Sequence, residues 1–240
     1  PQNNRSSAYQ LAYRFDIYSL DPMERYYVYI NAHNGQFIKK QSRLHDVEEH
    51  ATINTPPTIA SGITHFYGHQ SFDIEYDGTT YAMRDVAAEM YNGNSSLNYV
   101  NTTNNWTDST ANTVYWCLEK TYDYFLNTHN RNSYDGNSSS IPAIVHYGNQ
   151  WNNAAWNGTH LLFGDGNATP YVAVDIIAHE WSHSLIEHTA NLTYEGESGA
   201  LNEAFCDIFG VIMEAKIATN DWIMGEEIGG VRNLSDPNYF

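Results

Sequence analysis

Hydrophobic and polar positions alternate through the first forty residues, then change period. Leu11–Tyr18, Arg25–Ile30 and Gln36–Lys40 read as three strands rich in Tyr, Ile, Val and Phe. Asn34-Gly35 between the last two is a hairpin signal, because both residues tolerate the positive φ of a tight turn. From Glu48 to Ala60 the chain becomes polar and Pro-rich, the composition of a linker and of a site of proteolytic nicking. Phe66–Arg84 gives short strands broken at Asp77-Gly78, and Asn92–Asp108 reads as a polar loop. Val114, Leu118, Tyr122 and Phe125 then recur at helical spacing, predicting a helix over about 109–129 with Asp108 or Ser109 as its N-cap. Ile141–Tyr147 reads as a strand. A strongly apolar helix is expected over about 172–189, and another from near Ala200, after the glycine-punctuated turn at Gly196 and Gly199. The sum is an α+β chain: a mixed or antiparallel sheet lobe followed by two helices.

The apolar helix carries His179-Glu180-Trp181-Ser182-His183. Residues i and i+4 share one helix face, so His179 and His183 can hold one metal ion between them. Neutral imidazole suits zinc, and two histidines leave room for a third ligand and a water. Glu180 lies one step round the helix, where it can take a proton from that water. This is the HExxH arrangement. On its own it is no stronger than the alternative of an amphipathic helix with two incidental histidines. The next helix adds weight. Asn202, Glu203 and Asp207 stand among Leu201, Ala204, Phe205, Ile208 and Phe209, and polar groups in such a setting need partners. Glu203 can complete a two-His, one-Glu site with an open position. Asp207, one turn on, can accept a hydrogen bond from the far nitrogen of a ligating histidine.

Composition narrows the partners. A formal net charge of −17 argues against nucleic acid and anionic membrane. No stretch is long and apolar enough to span a bilayer. The hydrophobic fraction of 42% supports a core, and 19 tyrosines suit half-buried β surfaces. Cys117 and Cys206 do not make a disulfide framework, and their pairing stays open.

From about Tyr115 onward the chain resembles the thermolysin-like neutral proteases. The resemblance rests on the two zinc motifs together with Tyr122-Asp123-Tyr124-Phe125, His129 through Gly136, Asn152 through Gly158, Phe163-Gly164-Asp165-Gly166 and Ser235-Asp236-Pro237. It implies a zincin-like fold and a secreted zinc endopeptidase acting on proteins or peptides, with cleavage before a bulky hydrophobic residue. It also assigns roles. Tyr194 becomes an oxyanion donor and Asn202 orients the second histidine. Asn153 and the Ala154 backbone hold an extended substrate, Arg232 binds a substrate carbonyl, and Ile176 with Val231 line an apolar pocket. Residues 1–50 resemble the C-terminal part of a PepSY-like propeptide, a folding aid and inhibitor, with cleavage expected between about Asp46 and Ile59. The alternative is an ordinary N-terminal sheet of the catalytic domain. Residues 51–240 would then be the N-terminal lobe of that domain with its active-site helices. The C-terminal helical lobe, which carries a further oxyanion-binding histidine in the family, would be absent. Without that lobe, which supplies a cleft wall and an oxyanion donor, these residues by themselves are expected to be inactive or nearly so, and a non-catalytic zinc- and calcium-binding fragment is the competing reading. An aminopeptidase-type zinc enzyme is disfavoured by the flanking motifs.

Asp175, Glu214, Asp221 and Glu226 would repel one another if gathered without a cation, and calcium takes six to eight oxygen ligands. The resemblance places these residues at a calcium site. Ile223 stands where some relatives have a further acid, so it can offer only its carbonyl, and one calcium is expected here.

Overall fold

A computed structural model describes residues 11–20, 23–42, 57–95, 97–218, 221–236 and 238. The chain divides into two compact units, Pro1–Asn54 and Thr55–Phe240. Most of the expected cleavage region lies outside the described residues.

In the first unit, β1 (Ala12–Leu20), β2 (Met23–Asn31) and β3 (Phe37–Ser42) form an antiparallel meander in that order. Its second turn closes through Gly35, at φ 71°, whose N–H donates to Asn31 O. Asn34-Gly35 therefore turns the chain where the sequence places the hairpin.

The second unit begins with β4 (Thr58–Ile63), β5 (His69–Tyr76), β6 (Tyr81–Ala82), β7 (Ala88–Asn92), β8 (Leu97–Asn98) and β9 (Val100–Asn101). The two-residue strands β8 and β9 lie inside the stretch read as a polar loop. β8 pairs with the neighbouring β7 and β9 with the more distant β6, and two residues carry no periodicity. Helix α1 (Ser109–His129) follows, then β10 (Ile141–Val145), β11 (Ala154–Trp156) and β12 (Leu161–Phe163). The remaining elements are α2 (Val174–Glu187), α3 (Gly196–Ile217), β13 (Ile223–Met224), a 3-10 turn at Glu226–Ile228, and β14 (Arg232–Asn233). One sheet has the order β4-β5-β6-β9 and another β11-β12-β10-β7-β8. The second is mixed: β10 runs parallel to β7 and β12, and β11 and β8 are its antiparallel edges. None of the helices among the described residues is long and apolar enough to cross a membrane.

Helix α1 is central. Asp108 caps it, accepting from the Thr110 and Ala111 N–H groups, and Asn130 ends it in the left-handed region. Val114, Leu118 and Phe125 are buried, as their spacing predicts. So are Asn112, Thr113, Glu119 and Thr121, because α1 packs against β strands as well as helices. Asn112 meets this cost by donating to Ile63 O and Trp106 O, and Glu119 by accepting from Asp73 N–H at 2.6 Å. The Phe125 ring stacks on Trp181 of α2 at 4.5 Å and meets Phe209 of α3 at 4.9 Å, so one aromatic cluster joins all three helices.

Two boundaries differ from the sequence reading. Helix α2 starts at Val174, where no side chain of the preceding residues caps it. The Tyr67 hydroxyl, from the β4–β5 connection, accepts from Val174 N–H at 2.8 Å instead. Helix α3 starts at Gly196 rather than near Ala200. Gly196 has φ 57°, so it turns the chain at the first helical position, which a sequence cannot tell from a loop glycine. Helices α2 and α3 approach closely at Gly210, where a Cβ would lie 2.7 Å from Asp175 O. That approach faces the histidines of α2 toward the acids of α3.

Candidate metal centre

His179 and His183 project from one face of α2, with Nε2 atoms 3.1 Å apart. Glu203 of α3 brings Oε2 to 3.4 Å from His179 Nε2 and Oε1 to 3.4 Å from His183 Nε2. Donors about 3.3–3.6 Å apart are what tetrahedral zinc with ordinary bond lengths requires. Two imidazole lone pairs at this separation repel unless a cation sits between them.

The far ring nitrogens fix which atoms face inward. His179 Nδ1 lies 2.9 Å from Asp207 Oδ1, and His183 Nδ1 lies 2.8 Å from Asn202 Oδ1. Each acceptor favours a proton on Nδ1, which leaves the Nε2 lone pair for a metal. Burial opposes a charge on His179, but its hydrogen bonds to Asp207 and Glu203 outweigh it and raise the pKa to about 9. Glu203 falls to about 2, led by its hydrogen bond from His179, against burial, with help from Tyr194. The field that favours a proton here also favours a metal cation, and the donor set suits zinc.

Cys206 is buried and free, with Sγ 3.2 Å from His183 Nδ1. It stands on the outer side of that ring, and burial pushes its thiol pKa up, away from the thiolate that binds metals. Cys117 is also buried and free.

Glu180 is buried beside the metal-binding point. Its Oε2 accepts from Trp156 N–H at 2.9 Å, so edge strand β11 holds it. Burial raises its pKa, against the attraction of both histidines and the Trp156 N–H. This backbone contact is not legible in the sequence, since it joins residues brought together only by packing. Tyr194 is exposed, and its hydroxyl donates to Glu203 Oε1 in a short contact. Arg232 on β14 sends Nη1 to Asp207 Oδ2 at 3.1 Å and to Glu203 Oε2 at 3.6 Å. Ile176 and Val231 flank one point: a Cβ at Gly225 would lie 3.0 Å from Ile176 Cδ1 and 2.9 Å from Val231 Cγ2. Asn153 precedes β11 and accepts from Gly164 N–H at 3.0 Å, and Ala154 opens the strand.

The acidic residues assigned to calcium assemble in part. Asp175, Glu214 and Glu226 bring oxygens within 4.8 Å of one another. Asp221 stands outside this group, its Oδ1 accepting from Ile223 N–H at 2.7 Å. The carboxylate of Asp175 already accepts from Gly225 N–H at 2.6 Å and Ile176 N–H at 2.7 Å. Burial still lifts its pKa to about 7, against those two bonds. Glu227, not singled out in the sequence, joins the neighbourhood: its charge acts on Asp175, and its Oε1 accepts from Tyr67 OH at 2.8 Å. Its adjacency to Glu226 was the available signal.

The chain is similar to known proteins along most of its length. A family model described as the thermolysin metallopeptidase catalytic domain matches residues 59–187, and the model for that family's alpha-helical domain matches residues 190–239. The second match overturns the expectation that the helical lobe is absent: α3, with Glu203, falls within it. The chain is 38% identical to a bacillolysin of Brevibacillus brevis over 248 residues, covering 95% of this chain and 44% of that protein. It is 34% identical to bacillolysin of Bacillus subtilis (strain 168), covering 98% and 47%. The chain thus spans about half the length of the curated relatives it matches. A solved structure, the precursor of protealysin, a metalloproteinase from Serratia proteamaculans, is similar at TM-score 0.57 and 29% identity, covering 68% of this chain and 57% of that one. The chain belongs to the thermolysin metallopeptidase family.

Proposed function

We propose that this chain carries the catalytic zinc site of an endopeptidase that hydrolyses proteins or peptides. The convergence of His179 Nε2, His183 Nε2 and a Glu203 carboxylate, with Glu180 held alongside, carries the reading. Zinc bound by these three would polarise a peptide carbonyl and lower the pKa of a water at the open position. Glu180 takes the water's proton and passes it to the leaving amine, and its raised pKa suits both halves of that task. Tyr194, freed from Glu203, donates to charge developing on the carbonyl oxygen. An extended substrate adds to the edge strand at Asn153 and Ala154. Ile176 and Val231 line an apolar pocket beside Arg232, which supports cleavage before a bulky hydrophobic residue. Asp207 and Asn202 hold the two histidines.

The same reading includes secretion and one structural calcium. Asp175, Glu214 and Glu226 would form the calcium core, with Asp221 and the Ile223 carbonyl completing it. Residues 1–50 would be the C-terminal part of a propeptide that aids folding and inhibits until cleavage, and residues 51–240 would carry the catalytic machinery. The division of the chain after Asn54 supports this, as does the likeness to a protease precursor.

The decisive experiment compares wild type with Glu180→Gln for zinc content and peptide hydrolysis. The variant should keep zinc and lose about 10²–10⁴-fold in kcat, the usual worth of a general base. Full activity in Glu180→Gln would refute the role. Calorimetric titration of calcium into chelator-treated protein should show one site near Asp175, and a stoichiometry of zero or two there would count against it.

A further inference from the structure

His146 lies outside the metal centre and outside every motif used above. It is the first residue after β10 and has φ 57°, an uncommon conformation for a residue with a side chain. Its two ring nitrogens face two carboxylates. Nδ1 lies 2.6 Å from Asp165 Oδ1, and Nε2 lies 2.8 Å from Asp108 Oδ2. Ionised carboxylates only accept, so satisfying both contacts takes a ring with two N–H donors, the imidazolium.

Each carboxylate belongs to a different element. Asp108 caps α1 with Oδ1, while its Oδ2 also accepts from the Tyr99 hydroxyl, which Asn92 supports from behind. Asp165 follows β12, and its neighbours clasp the segment leading into β11. Gly164 N–H donates to Asn153 O at 3.0 Å, and Gly166 N–H to Trp151 O at 3.1 Å. The ring therefore ties the end of β10 and the start of α1 to the turn that fixes the segment running into edge strand β11.

We propose that His146 is a positioning residue, an imidazolium clamp between Asp108 and Asp165 that holds Asn153 and β11 in register for an extended peptide substrate. The substrate half rests on the peptidase reading; the clamp itself does not.

The titratable groups facing the ring are Asp108 on the α1 side, Asp165 on the β12 side, and Tyr99 behind Asp108. The hydrogen bond to Asp108 leads in raising the His146 pKa to about 9, against partial burial and with help from Asp165. A folded pKa above the unfolded value of about 6.5 means that the clamp's contribution is complete below that pH. It is lost as pH rises through about 9.

Ring-nitrogen NMR of the whole chain, with His146→Gln to assign the signal, tests the charge. The expected result is two protonated ring nitrogens at pH 7.5. Amide hydrogen exchange at Gly164 and Gly166 tests the clasp: His146→Gln and Asp165→Asn should each speed it about tenfold and leave α2 protected. If His146→Gln fails to fold, Asp165→Asn and the wild-type titration still decide. Corrected for intrinsic base catalysis, wild-type exchange should loosen above pH 9 and the variants should lack that step. With a peptide substrate, both variants should raise KM severalfold and hold kcat within twofold, a split that general loss of structure would not produce. A neutral His146 titrating near pH 6.5, or unchanged exchange at Gly164 in the folded variants, overturns the clamp. Unchanged KM with loosened exchange overturns the substrate half. No hydrolysis by wild type would sink the peptidase reading and the substrate half with it, while the ring titration and exchange still judge the clamp.

Discussion

His146 and the pair His179 and His183 are all held by acceptors, and they differ in what the second nitrogen faces. In the pair, each ring has its Nδ1 occupied, by Asp207 or Asn202, and turns Nε2 toward a shared point. At His146 both nitrogens meet carboxylates. In the pair, the acceptor behind each ring fixes the tautomer, and the two Nε2 atoms converge with the Glu203 carboxylate on one point that a metal ion can occupy. At His146 two separate carboxylates take the two nitrogens at hydrogen-bond distance with no second ring beside them, which yields a cation that joins elements. A histidine beside an acid is therefore not enough to mark a metal site; the second nitrogen decides.

The sharpest way to break this comparison is to remove one ring from each region. His183→Ala should abolish stoichiometric zinc binding, measured by metal analysis after dialysis, while His146→Ala should leave one zinc per folded chain. Loss of zinc from both variants would show that the two regions are not separate in function.

A smaller effect comes from the acceptors. Asp207→Asn removes the carboxylate behind His179 and should weaken zinc binding by about 10–100-fold in competition with a chelator. Asp165→Asn makes the same chemical change behind His146 and should leave zinc affinity unchanged. Equal losses would mean that the acceptors act through net charge rather than through ring tautomer.

The smallest effect concerns stability against pH, and it sets the clamp beside a buried acid. Burial raises the Glu119 pKa to about 9, with Asp85 adding to it. Both Glu119 and His146 thus have folded pKa values above their unfolded ones, and each makes stability fall as pH rises toward about 9. The two variants should flatten that slope from opposite ends. Glu119→Gln should match wild type near pH 4 and melt about 2–4 °C higher at pH 9, the shift expected for roughly 1 kcal/mol in a chain of this size. His146→Gln should match wild type near pH 10 and melt lower at neutral pH. Thermal melts across this range check both, and parallel curves for either variant would contradict its assigned charge state.

The sequence by itself determined the elements with strong local signals and the chemistry carried on single helices. His179, Glu180 and His183 are bound to one helix by spacing, and Asn202, Glu203 and Asp207 to the next, because helical periodicity fixes which side chains share a face. The Asp108 cap and the Asn34-Gly35 and Asp77-Gly78 turns were legible for the same reason: each depends on a few neighbouring residues. Only tertiary structure decided the rest. The N-terminus of α2 is capped by Tyr67, 107 residues earlier. Glu180 is held by the Trp156 backbone, 24 residues away, and His146 by acids 38 and 19 residues away. The acid group at Asp175 gathered Glu214 and Glu226 but left Asp221 outside it. These contacts depend on how helices and sheets pack, and a hydrogen bond across that distance leaves no periodic trace in the residues that make it.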